Sequence, residues 1–246
     1  MRAVTILLLL ATILGPAQAP AETAAEASTD AWDCANADMS GYAIAACSRV
    51  IATWGAANPG IAWAFYHRAN GFVAQHEYDR AIRDYDAAVA LRPAFAQAYG
   101  GRGLAYFARG DYRRAVQDYD QSIRLDPLFA TTYQDRCYSL AILGDTSRAL
   151  ADCNRALKLS PADPVTLDRR GYANLRRGNF TRAIRDYQAA LAIYPQLDTA
   201  LFGRAVALAA KGQRAAAARD LAAARKLNPE IDRQMAALHL KAPAGQ

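Results

Sequence analysis

One residue spacing constrains the fold of this chain more than any other feature. Prolines stand 34 residues apart, at Pro93, Pro127, Pro161, Pro195 and Pro229, and bulky residues recur with the same period. Each interval has room for two helices joined by a short turn. A period in this range is typical of a stacked repeat array, in which each unit packs only against its neighbours. The sequence therefore predicts one elongated, all-α unit.

Apolar residues inside each interval follow helical spacing, which predicts two helices per repeat. The first helices are expected at residues 61–74, 94–109, 128–143, 164–177 and 198–211. The second helices are expected at residues 78–91, 112–125, 146–159, 180–193 and 214–227. The turns between them are marked by Gly110, Gly144, Gly178 and Gly212, which suit left-handed helix C-caps. His76 breaks this pattern in the first unit.

The segments outside the regular repeats are assigned to the two ends of the array. Residues 1–21 are typical of a secretory signal that is cleaved near Ala21, because Arg2 precedes a short apolar run and small residues follow it. The run is shorter than the roughly 20 residues needed to span a bilayer, which disfavours the alternative of an uncleaved anchor. Residues 22–31 are predicted to be a disordered leader.

A cap with a partial repeat is expected at residues 32–60, five full units at residues 61–229, and a capping helix with a tail at residues 230–246. Within the first cap, a helix is predicted near residues 41–56, where Ile44, Cys47, Ile51 and Trp54 fall at helical spacing. Only the second helix of the partial repeat is predicted from this pattern.

The charge of the chain argues against nucleic acid as a partner. Lys and Arg total 29 against 23 Asp and Glu, and loss of the signal with Arg2 would leave a net charge of +5. The excess is spread along the chain, whereas nucleic-acid binding proteins concentrate basic residues in a patch.

The repeated residues resemble the tetratricopeptide repeat, a family of helix-turn-helix units that stack into a right-handed superhelix with a concave binding face. Beside the prolines, the resemblance rests on small residues that let paired helices approach. They are Ala69, Gly103, Cys137, Gly171 and Ala205 in the first helices and Ala81, Ala115, Ala149, Ala183 and Ala217 in the second. The implied fold is an α-α superhelix of five such units, with a degenerate half repeat before them and a short capping helix after them.

The chain departs from the family's pattern in two ways. Asn174 replaces the aromatic residue that stands at Phe72 and Tyr106 in other units. In addition, each unit carries an arginine where the family has leucine, and an aspartate follows sixteen residues later. The pairs are Arg68 and Asp84, Arg102 and Asp118, Arg136 and Asp152, Arg170 and Asp186, and Arg204 and Asp220. Because the turn lies midway, we expect ion pairs across each hairpin, and a structural ladder explains them better than a ligand site.

The four cysteines predict two disulfides. Cys34 and Cys47 flank one turn, and Cys137 and Cys153 flank another symmetrically, which favours these two pairings among the three possible. Disulfides persist in oxidising compartments, consistent with export; buried thiol pairs are the alternative. Neither pair has the C-x-x-C spacing of a redox enzyme.

No enzyme, metal or cofactor is indicated. His67, His76 and His239 are isolated from one another and from the cysteines in sequence. The spacing of zinc ligands and the nucleophile-base sets of hydrolases are both missing. A non-enzymatic protein is therefore expected.

The family resemblance implies that the first helix of each unit lines a groove for a protein partner. The candidate groove residues are Trp63, Tyr66, Asn70, Gly100, Leu104, Phe107, Gln134, Tyr138, Asp168 and Tyr172. Gly100 is expected to leave a recess between Tyr66 and Gln134 for a partner side chain. For Tyr66, Tyr138 and Tyr172, packing against the adjacent unit is an equal alternative.

These features predict an exported, periplasmic scaffold of a bacterial envelope that binds a peptide or helix of another protein along its concave groove. The alternative is an accessory subunit that docks an acidic envelope component through its convex, arginine-rich face.

Overall fold

The structure of the chain is a computed structural model that describes residues 24–36 and 41–243. The predicted signal at residues 1–21 lies outside the described residues. In the described ranges the chain forms thirteen α-helices and no strand. The helices are α1 (Ala24–Asn36), α2 (Gly41–Trp54), α3 (Ala62–Ala74), α4 (Tyr78–Leu91), α5 (Ala96–Ala108), α6 (Tyr112–Leu125), α7 (Ala130–Leu143), α8 (Thr146–Leu159), α9 (Pro164–Arg176), α10 (Phe180–Ile193), α11 (Asp198–Ala210), α12 (Arg214–Leu227) and α13 (Ile231–Ala237). A short 3-10 turn, Pro59–Ile61, precedes α3.

Consecutive helices pair into hairpins that stack along the chain. The five regular units are α3–α4, α5–α6, α7–α8, α9–α10 and α11–α12, and each packs against the next. The first helices also contact one another between neighbouring units, as α7 and α9 do. The predicted all-α solenoid is confirmed. All five second helices have their predicted bounds, and the first helices differ by at most two residues at either end.

The turns inside the units adopt the predicted left-handed conformation. Gly110, Gly144, Gly178 and Gly212 have φ between 75° and 90°. His76 stands at the equivalent place in the first unit and has φ 59°, so the backbone turn is kept although glycine is lost. Its Nδ1 atom lies 2.8 Å from the hydroxyl of Tyr78.

The predicted disordered leader at residues 22–31 is wrong where the structure describes it. α1 begins at Ala24 and packs against α2 and α3, so the N-terminal cap is a complete hairpin and not a single helix. Asp30 is 8% exposed, and its carboxylate accepts hydrogen bonds from the guanidinium of Arg49 at 2.6 to 2.9 Å. Composition missed this helix because tertiary contacts, and not an apolar period, hold it in place.

Both predicted cysteine pairings are present. The Sγ atoms of Cys34 and Cys47 are 2.08 Å apart and join α1 to α2. Those of Cys137 and Cys153 are 2.05 Å apart and join α7 to α8. All four side chains are fully buried. The first bridge fastens the cap hairpin, and the second lies within the third regular unit.

The five predicted arginine–aspartate pairs also form. Their closest nitrogen–oxygen distances are 2.6 to 2.7 Å, and the aspartate side chains are largely buried. Some of these arginines reach back to the preceding unit as well: Arg102 pairs with Asp86, and Arg136 with Asp120, both at 2.6 Å. The ladder therefore ties the two helices of each unit together and links some units to their neighbours.

The last described helix, α13, occupies the first part of the segment at residues 230–246 where a capping helix and a tail were expected. α13 stops at Ala237, and His239 just beyond it has a left-handed φ of 62°, which the helix could not continue through. Ile231, Met235 and Leu240 of this last segment are buried in the same core as the fourth and fifth units.

Two glycines of α5 differ in how closely they approach neighbouring side chains, so replacing each with alanine makes a matched pair of tests. A Cβ at Gly103 would lie 2.7 Å from Cε1 of Tyr119, whereas a Cβ at Gly100 would lie 3.4 Å from its nearest neighbour, Oγ of Ser122. Gly103→Ala should lower the free energy of unfolding by about 1–3 kcal/mol through overpacking. Gly100→Ala should leave it unchanged or raise it by up to about 1 kcal/mol through helix propensity. Urea unfolding of both variants checks this, and equal effects would contradict it.

Candidate partner-binding groove

The first helices bring predicted groove residues from successive units side by side. The ring of Phe107 on α5 lies 5.6 Å from that of Tyr138 on α7, measured between centroids. Tyr138 in turn lies 5.2 Å from Tyr172 on α9. An unbroken aromatic row therefore crosses three units on the face predicted to bind a partner.

The half of this face nearer the N-terminus contains an open cleft of about 320 Å³. Four predicted groove residues line it: Tyr66, Asn70, Gly100 and Leu104. Leu104 is 41% exposed, which is high for a large apolar side chain in a row of packed helices. The cleft therefore presents apolar surface to solvent between α3 and α5.

The recess predicted at Gly100 exists, but its walls differ from the prediction. Phe129 and Thr131 close the side toward α7, opposite Tyr66. Gln134 is not part of this cleft, because its Nε2 atom donates to Oδ2 of Asp163 at 2.6 Å and is held toward α9. The expectation that Gln134 forms one wall of the recess is wrong.

Only one of the two polar atoms of the Asn70 side-chain amide is hydrogen-bonded within the described residues. Its Oδ1 atom accepts a hydrogen bond of 2.5 Å from the hydroxyl of Tyr85. Burial raises the pKa of the Tyr85 hydroxyl, which keeps this donor protonated. The Nδ2 donor of Asn70 has no hydrogen-bond partner among the described residues, so the cleft offers it in a fixed orientation.

The remaining aromatic candidates on α3 have different surroundings. Tyr66 packs against Phe95, with centroids 5.1 Å apart, and also lines the cleft, so packing and ligand contact are both open to it. Trp63 does not line this cleft. Its ring meets that of Trp54 at 6.4 Å, at the end of α2.

The other half of the face is covered by the chain itself. Tyr172 is 2% exposed, and its hydroxyl donates a hydrogen bond to the carbonyl of Leu238 beyond α13. Arg176 donates to the same hydroxyl at 3.0 Å. Leu238, Leu240 and Ala242 pack into the core that includes Tyr172. We call residues 238–243 the C-terminal strap. Of the two alternatives given for Tyr172, contact with a ligand in an open groove is wrong, because the strap buries its side chain.

Asp168, the one charged candidate, is partly buried beside α11. Its Oδ2 atom accepts a hydrogen bond from Oγ1 of Thr199 at 2.9 Å. Burial raises the pKa of its carboxyl to about 7; the Thr199 hydrogen bond and the charge of Arg169 oppose this rise, and Asp198 adds to it. The carboxyl therefore titrates close to neutrality and serves poorly as a permanent negative charge.

The candidate groove residues did not include Phe129 and Asp135, which also line the cleft. The 34-residue period could have identified Phe129, because it occupies the position of Phe95 one unit later. Asp135 lies one position from the predicted stripe, on the same helix as Thr131. Its carboxylate is paired with the guanidinium of Arg169, so it adds little net charge to the cleft.

The described residues offer shape and hydrogen bonding more than reactive chemistry. Among residues 24–36 and 41–243, no group of three or more His, Cys, Asp or Glu side chains is arranged to hold a metal ion. Within the same ranges, no helix has the length and apolar character needed to cross a membrane.

Stacked helical hairpins of 34 residues, with first helices that share one face, define the class of helical-repeat solenoids. Family profiles described as tetratricopeptide repeat match residues 66–130, 109–164 and 164–197, which together span more than half of the chain. The chain belongs to the tetratricopeptide repeat family. It is accordingly a protein-interaction scaffold, as members of this family are.

Several solved structures share this fold. YrrB, a TPR protein with an unusual peptide-binding site, is 24% identical with a TM-score of 0.58, covering 78% of this chain and 96% of its own. MamA from Desulfovibrio magneticus RS-1 is 18% identical with a TM-score of 0.60, covering 70% and 97%. PilW, a type IV pilus biogenesis factor, is 18% identical with a TM-score of 0.63, covering 68% and 77%. A comparison with curated proteins finds no significant match.

The contact between Tyr172 and the C-terminal strap can be tested with one atom removed. Tyr172→Phe deletes the donor to the Leu238 carbonyl and keeps the ring. Hydrogen exchange of the strap amides should accelerate about threefold to tenfold, the equivalent of one hydrogen bond. Tyr138→Phe is the control, because the Tyr138 hydroxyl has no hydrogen-bond partner among the described residues. Equal exchange rates in the two variants would contradict the role of this contact.

Asp168 should make stability fall as pH rises. Its folded pKa of about 7 lies above the unfolded value of about 3.9, so ionising it costs more in the folded state. The loss begins above the unfolded pKa and is complete once pH passes the folded pKa. Asp168→Asn should gain about 1–2 kcal/mol over the parent between pH 5 and pH 8, measured by urea unfolding at each pH. Asp79→Asn, at an exposed position, is the control, and parallel profiles for Asp168→Asn and the parent would refute the prediction.

Proposed function

We propose that this chain is an exported scaffold that binds an extended segment of a partner protein across α3, α5 and α7. The open cleft over Gly100 carries the proposal, because it combines exposed apolar surface with an unsatisfied donor. The C-terminal strap closes the groove at α9, so a partner has access in the part nearer the N-terminus. The hairpin α1–α2 serves as the N-terminal cap of the five units.

The cleft chemistry favours an apolar, uncharged anchor residue. A partner side chain placed over Gly100 would contact Tyr66 and Phe129, and Leu104 would flank it. Burying one aliphatic side chain is worth about 1.5–3 kcal/mol. Because the Asp135 carboxylate is already paired with Arg169, the cleft offers little net negative charge to attract a cationic anchor residue.

The polar part of the cleft suits a peptide backbone. The Nδ2 atom of Asn70 would donate to a carbonyl of the bound segment, since Tyr85 fixes the opposite side of the amide. One such bond holds the register of the chain, while the recess over Gly100 selects the side chain. YrrB provides a precedent for a peptide-binding site on this fold.

Export to the periplasm is the second element of the proposal. Two buried disulfides support it, because such bonds persist outside the reducing cytoplasm. The signal expected at residues 1–21 would direct the export, with cleavage near Ala21.

Selection of displayed random dodecapeptides on the chain from residue 22 onward tests the groove. Peptides with an apolar anchor should be enriched, and Gly100→Trp should weaken their binding about tenfold or more by filling the recess. Gln117→Trp adds the same bulk to an exposed position on the second helix of the same unit and should leave binding unchanged. Enriched peptides that bind Gly100→Trp as tightly as the parent would overturn the proposal.

A further inference from the structure

A second cavity lies away from the groove, on the side of the second helices. It measures about 240 Å³ and lies between α8, α9 and α10 in the fourth unit. Its polar lining consists of Asn154, Arg170, Asn174, Arg182, Arg185 and Asp186. Three guanidinium groups therefore share this small space with a single carboxylate.

In the first three units, the arginine that corresponds to Arg182 is neutralised locally. Arg80, Arg114 and Arg148 each pair with an acid three residues earlier. The acids are Glu77 at 2.7 Å, Asp111 at 2.5 Å and Asp145 at 3.8 Å. In the first two units the guanidinium also lies over an aromatic ring, that of Phe72 at 4.0 Å and that of Tyr106 at 4.9 Å.

The fourth unit keeps the arginine and replaces both of its partners with amides. Asn179 stands in place of the acid, and Asn174 stands in place of the ring. Arg182 is exposed and has no ion pair, hydrogen bond or ring contact with any described residue. Arg185, one turn further along α10, is likewise exposed and unpaired within the described part of the chain.

A third replacement removes another negative charge from the same place. Asp86 and Asp120 accept hydrogen bonds from the ladder arginine of the following unit. Asn154 takes their position before the fourth unit, and Arg170 donates to its neutral Oδ1 atom at 2.9 Å. Asp186 is then the only acid lining the cavity among the described residues.

Asn174 adds an unsatisfied buried acceptor. It is 4% exposed, and its Nδ2 atom donates to Oδ2 of Asp186 at 2.8 Å. Its Oδ1 atom is buried and has no hydrogen-bond partner among the described residues. Buried polar atoms are normally satisfied, so the fourth unit bears a stability cost at the position where the first two units carry an aromatic ring.

The basic surface continues beyond the cavity. An adjoining depression of about 630 Å³ shares Arg182 and Arg185 and adds Lys211 at the end of α11. Cations therefore extend from the fourth unit to the fifth, which suits a ligand with several negative charges.

We propose that this cavity and its neighbouring depression bind an acidic segment of a partner protein. Side-chain carboxylates of the segment pair with Arg182 and Arg185, and a further carboxylate lies near Lys211 in the depression. An acidic segment carries several carboxylates along one flexible chain and can follow the cations from the cavity into the depression, whereas lipid headgroups present their phosphodiesters at the plane of a membrane. The inference gives a location to the sequence hypothesis of an acidic partner and is independent of the groove.

Restoring the missing acid gives a sharp test. Asn179→Asp is nearly isosteric and returns to Arg182 the partner that its counterparts have. Binding of dye-labelled octaglutamate, followed by fluorescence anisotropy at low salt, should weaken about fivefold, the equivalent of one ion pair. Gln117→Glu adds the same charge at an exposed position on α6, outside the cavity and the depression, and should change affinity less than about twofold.

Two further measurements complete the test. Arg182→Gln with Arg185→Gln should reduce octaglutamate binding about tenfold or more, while thermal unfolding stays near that of the parent because neither side chain has a partner to lose among the described residues. Gly100→Trp should leave this binding unchanged, which separates the site from the groove.

The proposal is overturned if octaglutamate fails to bind at low salt, or if Asn179→Asp and Gln117→Glu behave alike. It is also overturned if vesicles of phosphatidylglycerol require Arg182 and Arg185 while octaglutamate does not.

Discussion

The ion pair between an arginine on each first helix and an aspartate on the second is the interaction on which the array depends. The arginine stands where the family pattern has leucine, and its aspartate partner is largely withdrawn from water. A carboxylate so placed is tolerable only while its guanidinium partner is present. The identity of both residues is therefore fixed by burial, and the same requirement recurs in all five units.

The ladder also explains why the units differ in what they offer to partners. Where Asp86 and Asp120 bridge to the next unit, the ladder arginine has two acids within the chain. At the fourth unit the bridging acid is replaced by an amide, and amides also replace the acid and the ring that contact the counterparts of Arg182 in the first two units. The residues that repeat in every unit stabilise the array. Asn154, Asn174 and Asn179 depart from the repeat, and they give the fourth unit a basic surface that the other units lack.

Most of the fold was predictable from the sequence because it depends on local and periodic signals. The 34-residue period indicated the helices and turns, and symmetry about each turn indicated the ion pairs and the disulfides. The first helix α1 and the burial of Tyr172 were not predictable. Both depend on contacts between distant segments, Asp30 with Arg49 and Leu238 with Tyr172, that leave no period in the sequence. The cleft was predicted in part, since Asn70 and Gly100 line it but Gln134 turns away to Asp163.

The C-terminal strap makes the two ends of the concave face different. One end of the groove, near α3, has no described segment of the chain lying over its cleft, whereas the end at α9 is closed by residues that the protein carries itself. In the proposed mode of binding, a partner segment threaded along α3, α5 and α7 meets a fixed barrier at the fourth unit. The scaffold would then select partner segments by their path along the groove. It would accept segments that end or turn outward at the fourth unit and exclude those that continue along the same face.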